Sequence, residues 1–146
     1  MKLNPHLAFN GSCEEAFRFY QRCFGGELAM MIPWGSTPSA EQVTTEWHDK
    51  IIHARLVAGD FMLMGSDAPP GCGPVSGGTV TMIRADSVEE ADRLFNALVE
   101  GGTTDMPMAE TFFAQRFGML RDRYNTAWMI ISERDQCSAS AAQSPV

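Results

Sequence analysis

Apolar and polar positions alternate in two rhythms along the chain, and the rhythms recur in the same order twice. From Cys13 the apolar residues Ala16, Phe19, Tyr20, Cys23 and Phe24 fall at helical spacing, and from Val88 the residues Ala91, Leu94, Phe95 and Leu98 do the same. The two helices are echoes of one another. Ser12-Cys13-Glu14-Glu15-Ala16-Phe17-Arg18-Phe19-Tyr20 matches Ser87-Val88-Glu89-Glu90-Ala91-Asp92-Arg93-Leu94-Phe95 at five of nine positions. Each begins with a serine placed to cap and two glutamates placed against the positive end of the helix dipole. Each soon meets a glycine pair, Gly25-Gly26 or Gly101-Gly102, able to supply the left-handed stop.

Between the helices the period shortens to that of strands. The pattern predicts strands over Leu3–Asn10, Glu27–Pro33, Lys50–Val57 and Phe61–Ser66, the last two joined by a Gly59-Asp60 turn. It then predicts Gly78–Ala85, a short strand near Thr103–Met106, Phe117–Asp122 and Ala127–Ser132, with Tyr124-Asn125 as the final turn. The order is βαβββ, twice. The fold class is therefore α+β, with modules at about 3–67 and 78–132 inside one domain of 1–135. The stretch 68–77 carries Pro69-Pro70-Gly71-Cys72-Gly73-Pro74 and reads as the linker, and 136–146 reads as a disordered tail. Pro33–Thr45 is a long loop of the kind that often carries function.

Charge narrows the partners. A net charge of −7 with only 11 basic residues, scattered along the chain, argues against nucleic acid or an anionic membrane surface. Met1-Lys2-Leu3-Asn4-Pro5 is followed by no apolar signal segment, and no apolar run approaches the roughly 20 residues of a membrane span. The four cysteines show neither a paired nor a zinc-ligand spacing, so free thiols and a cytoplasmic location are the expectation. Ten methionines suggest adaptable core filler, some of it lining a soft apolar cavity.

The duplicated unit, together with "FNGSCEEAFRFYQRCFGGE", "DKIIHARLVAGDFMLMGSDAPP" and "ETFFAQRFGMLRDRY…AWMI", resembles the PhnB-like branch of the vicinal oxygen chelate (glyoxalase/bleomycin-resistance) superfamily. The resemblance covers about residues 3–132. It implies curved mixed sheets whose paired modules enclose a cavity, and a homodimer. Metal-dependent members carry one ligand on the first strand and one on the fourth strand of each module. Carried onto this chain, those positions fall at Pro5 (or His6 if the strand slips by one), within Phe61–Ser66, at Val80 and at Met129. Three of these are apolar or unable to ligate, so no metal and no other cofactor is expected.

The remaining polar and aromatic residues supply candidates. His53, on a strand alternating Ile51, His53, Arg55 against Ile52, Ala54, Leu56, is a candidate general base or anion contact, or a hydrogen-bonded core residue. Glu110, beside Phe112 and Phe113, is a second candidate base, or a surface partner of Arg116. Trp34 and Trp47 are placed to close over a planar ligand, whereas Trp128 reads as core. Arg55, Asp67, Phe113 and Arg116 complete the candidate ligand contacts, with turn capping the alternative for Asp67. No nucleophile triad or phosphate loop is present by spacing. Two readings follow: a protein that binds a small organic molecule in a dimer cavity without metal, or a small-metabolite enzyme of proton-abstraction, isomerase or lyase type using His53 or Glu110.

Overall fold

The computed structural model describes residues 1–71 and 78–134. Cys72 to Gly77 of the linker, the tail from 135, and with them Cys72 and Cys137, lie outside the described residues. The chain divides into two compact units, Met1–Gly78 and Thr79–Val146.

In the first unit the order is β1 (His6–Phe9), α1 (Cys13–Phe24), β2 (Glu27–Pro33), β3 (Ile51–Ala58) and β4 (Phe61–Asp67). The sheet order is β1-β4-β3-β2, with β1 parallel to β4 and the other pairs antiparallel. A three-strand meander thus returns beside the strand that started the unit. α1 covers one face of this sheet with Ala16, Phe17, Phe19, Tyr20 and Cys23, all buried. They meet Phe9, Ala54, Leu56 and Leu63, the buried alternate positions of the strands. Phe17 packs edge-on against Phe9 and Tyr20, with ring centroids 6.2 and 5.8 Å away. Gly65 of β4 lets that ring approach, since a Cβ there would stand 2.5 Å from Phe17.

The second unit repeats the plan: β5 (Thr81–Arg84), α2 (Val88–Leu98), β6 (Thr103–Ala109), β7 (Ala114–Arg121) and β8 (Ala127–Glu133), in sheet order β5-β8-β7-β6. β5 is parallel to β8. Ala91, Leu94, Phe95 and Leu98 form the buried face of α2. Gly118 of β7 plays the part of Gly65, opposite Phe95 and Met108. The edge strands β2 and β6 each carry two register shifts, and β6 accommodates Pro107 because an edge strand can spare one amide.

The predicted elements are all present, with shifted ends. β1 and β5 are shorter than their apolar patterns suggested, and β6 and β7 are longer. β7 begins at Ala114 rather than Phe117, so Arg116 belongs to the strand and not to a loop before it. The long loop folds into three short 3₁₀ turns, Trp34–Ser36, Pro38–Gln42 and Thr45–Trp47. They are held by Gly35 N–H donating to His48 O and by His48 Nε2 lying 3.0 Å from Ala40 O.

The two helix starts also differ. Ser87 accepts a hydrogen bond from Glu90 N–H, and Glu90 Oε2 reaches back to Asp86 N–H at 2.8 Å. Ser12 makes no side-chain cap. In its place Asp67, at the end of β4, brings its carboxylate to the helix from 54 residues away, accepting from Cys13 N–H at 3.0 Å.

Candidate functional site

Each sheet has one face under its helix and one face opposite, and strand register decides which residues share the latter. In the first unit His6 pairs with Met64, Met64 with Arg55, and Arg55 with Met30, which gives one row across all four strands. The neighbouring row holds Ala8, Ser66, His53 and Ile32, because Ala8 lies opposite Ser66 and Ile32 opposite His53. These positions alternate with the buried Phe9, Ala54, Leu56 and Leu63, so they lie on the face away from α1.

Three nitrogen-bearing side chains thus share a face with one hydroxyl and several methionines. His6 Nε2 lies 3.1 Å from Ser66 Oγ. The rings of His6 and His53 are 6.5 Å apart. Partial burial, and secondarily the neighbouring His53, holds the His6 imidazole below its ordinary pKa, so the ring favours the neutral form. Arg55 is half-buried, and its Nε–H is shielded from solvent with no acceptor. By register the acid on this face is Glu27, opposite Val57 at the far end of the sheet, and it forms no ion pair with Arg55.

Pro5 precedes β1, which begins at His6, and its carbonyl accepts from Met64 N–H at 3.1 Å. The family pattern places a ligand at His6 only through a slip of register, and His6 is in register with Met64 and turned to the face away from the helix. With Phe9 buried before the helix, counting back by two gives Leu7 under the helix and His6 opposite. Ser66 was missed because a lone serine carries no pattern.

The other candidates fall elsewhere. Asp67 is 1% exposed and turned beneath the sheet, where Gly11, Cys13 and Ile51 each donate a backbone N–H to its carboxylate at 2.8–3.0 Å. Trp34 donates its indole N–H to Asp67 O at 3.1 Å, which ties the loop to the end of β4. Trp47 is half-buried with an unpartnered indole N–H. Glu110, Phe113 and Arg116 belong to the second unit. There Glu110 pairs with Arg134 at 2.6 Å rather than with Arg116, which pairs with Asp92 of α2 at 3.0 Å. Phe113 stacks edge-on between Phe112 and Phe117, and Phe112 is 93% exposed. His53 and Arg55 are therefore the two sequence candidates that share a face in the first unit. Trp128 is core, donating to the buried Asp122 at 2.9 Å.

The corresponding face of the second sheet has a different chemistry. Register sets Met82, Met129, Met119 and Met106 in one row across the four strands, beside Phe117 and Ile131. A divalent ion needs oxygen or nitrogen donors, and this row offers thioethers while the first sheet offers His6, His53 and Ser66. Among the described residues no three His, Cys, Asp or Glu side chains converge. The donor set does not fit the superfamily's divalent site. Also among the described residues, no helix is long and apolar enough to cross a membrane.

Two βαβββ modules, each a mixed four-stranded sheet under one helix, define a known class of protein. The model of the Glyoxalase/Bleomycin resistance protein/Dioxygenase superfamily matches residues 2–130, and the chain belongs to that family. Among its relatives is protein YjdN of Escherichia coli (strain K12), 35% identical over 139 residues that cover 89% of this chain and 94% of that one. The crystal structure of PA1353 from Pseudomonas aeruginosa is similar at 46% identity and a TM-score of 0.83, covering 92% of this chain and 99% of its own. A PhnB protein from Bacillus cereus shares the fold at 23% identity and a TM-score of 0.74, over 90% of this chain and 99% of its own.

Proposed function

We propose that this protein binds a small organic molecule on the face of the first sheet opposite α1, without a divalent metal. The observation that supports this reading most directly is the placement of His6, His53, Arg55 and Ser66 on one strand face with Met30, Met62 and Met64. Polar groups fixed by strands amid flexible apolar side chains are the usual make-up of a small-ligand site. Strands hold such groups more firmly than loops do, so orientation costs the ligand little. A homodimer with the site in a cavity is the assembly that the family resemblance suggests.

A thermal-shift screen of the full chain against small metabolites, with and without a divalent-ion chelator, tests this. A bound ligand raises the midpoint by mass action. A chelator-insensitive shift that His53→Gln and Arg55→Met both abolish is the expected result. A shift that requires added Ni, Zn or Mn would overturn the metal-free reading.

A second reading is proton abstraction from the bound molecule. It is favoured by the depressed pKa of His6, because a neutral imidazole can accept a proton at neutral pH. It makes His6 and His53 the candidate bases ahead of Glu110, which is engaged with Arg134. Isotope exchange at an acidic C–H of a ligand found by the screen, lost in both His6→Gln and His53→Gln, separates catalysis from binding.

A further inference from the structure

Arg55 is the exception among the arginines of this chain. Among the described residues, Arg18, Arg84, Arg116, Arg123 and Arg134 each meet a carboxylate. Arg121 bonds Asn125, Arg22 lies over the Phe19 ring and Arg93 is engaged. Among the described residues the Arg55 side chain has no ion pair, hydrogen bond or ring contact, although the protein carries 18 acidic residues. A guanidinium cannot shed its proton, so a half-buried one retains its charge whatever its surroundings. Its neighbours across the sheet are Met64 and Met30, which offer it no negative charge. Its covered Nε–H is a donor that finds no acceptor among the described residues.

We infer that the molecule bound on this face is a small organic oxoanion, with its carboxylate or phospho group on Arg55 beside His53 and a short apolar body lying along Met30, Met62 and Met64. This rests on the ligand-binding reading above and names the class of ligand. Arg presents a planar fork that matches two oxygens of either group, which a lysine cannot do. His53 follows two residues earlier on the same strand face, and the His6–Ser66 pair lies beyond Met64 with further donor capacity. The methionine lining disfavours a purely inorganic ion, which would gain nothing from thioethers and methylenes. The overall negative charge of the chain does not decide the matter, because a site is read by the groups that face it.

The test is isothermal titration of the full-length protein with four probes of similar size: hexanoate, butylphosphonate, hexanamide and hexylamine. The expected result is binding of hexanoate or butylphosphonate but not of the amide or the amine, and whichever acid binds more tightly identifies the head group. Arg55→Met keeps the side-chain bulk, and a circular-dichroism melt checks that it folds. It should weaken binding of the acid by about 30-fold, the loss expected of a charge-assisted two-pronged contact. Arg55→Lys, which keeps the charge but not the fork, should fall between the two. Equal binding of hexanoate and hexanamide, or an unchanged affinity in folded Arg55→Met, would overturn the oxoanion assignment while leaving small-molecule binding standing. If none of the probes binds and Arg55→Met instead breaks a dimer seen by sedimentation, Arg55 answers a carboxylate of a second copy, and this inference fails. If neither these probes nor the metabolite screen give any ligand, the ligand-binding reading fails with it.

Discussion

Replacing Asp67 should damage the first unit more than any exposed substitution, and the cost can be worked from its hydrogen bonds. The carboxylate, 1% exposed, accepts from Gly11, Cys13 and Ile51 N–H at 2.8, 3.0 and 2.8 Å. One side chain thereby fastens the β1–α1 turn, the first turn of α1 and the start of β3. Asp67→Ala orphans three backbone donors, two of them in fully buried bonds, at about 1–3 kcal/mol each. Some water will enter the space left, so about 4 kcal/mol is a fair total for a fold worth about 5–15 kcal/mol. In urea, with a slope of about 2 kcal/mol per molar, this lowers the midpoint by about 2 M. Asp67→Asn keeps an oxygen for Gly11 and Cys13 but turns an NH₂ toward the Ile51 N–H, and should cost about half as much. Hydrogen exchange gives the local readout: the Cys13 and Ile51 amides should lose protection first, while those of β7 and β8 are little changed. A midpoint within about 0.5 M of wild type in Asp67→Ala, with an unchanged slope, would falsify the reasoning.

Three further outcomes follow from the same geometry. Ser87→Ala should cost about 1 kcal/mol and Ser12→Ala close to nothing, since Ser87 alone of the two makes a side-chain cap; equal losses in denaturant titrations would contradict this. Gly65→Ala places a methyl 2.5 Å from the Phe17 ring and should destabilise by about 1–3 kcal/mol, with much of that recovered in the double variant with Phe17→Leu; additive losses would show that the two do not touch. The depressed pKa of His6 sets a pH dependence. Between that pKa and the unfolded value of about 6.5 the unfolded chain holds more protons, so stability falls as pH drops through this window and is complete above it. His6→Gln should flatten the acid-side slope, and an identical slope in variant and wild type between about pH 7.5 and 5 would refute it.

The sequence by itself determined the element order. Helical spacing around Phe19-Tyr20 and Leu94-Phe95, strand alternation, and glycine or asparagine turns are local signals, and local signals are what a chain displays before it folds. They also separated Trp128, an apolar-flanked strand residue, from the loop tryptophans. Helix capping was half legible: the serine and glutamate motif predicts the Ser87 cap, but the cap of α1 comes from Asp67, and no pattern within a dozen residues announces a partner 54 positions away.

Only the tertiary structure decided which residues share a face. β1 is four residues long, too short for its alternation to fix its register alone. Pairing with β4 fixed it, turning His6 outward to Ser66 and Pro5 out of the strand. Pairing of β3 with β2 and β4 likewise set His53 and Arg55 opposite the helix and left Arg55 between two methionines. The four-methionine row of the second sheet arises the same way, from residues as far apart in sequence as Met82 and Met129. Side-chain direction in a sheet has period two, so a single step of register exchanges the two faces. That step is settled by long-range hydrogen bonding, which the linear pattern does not carry.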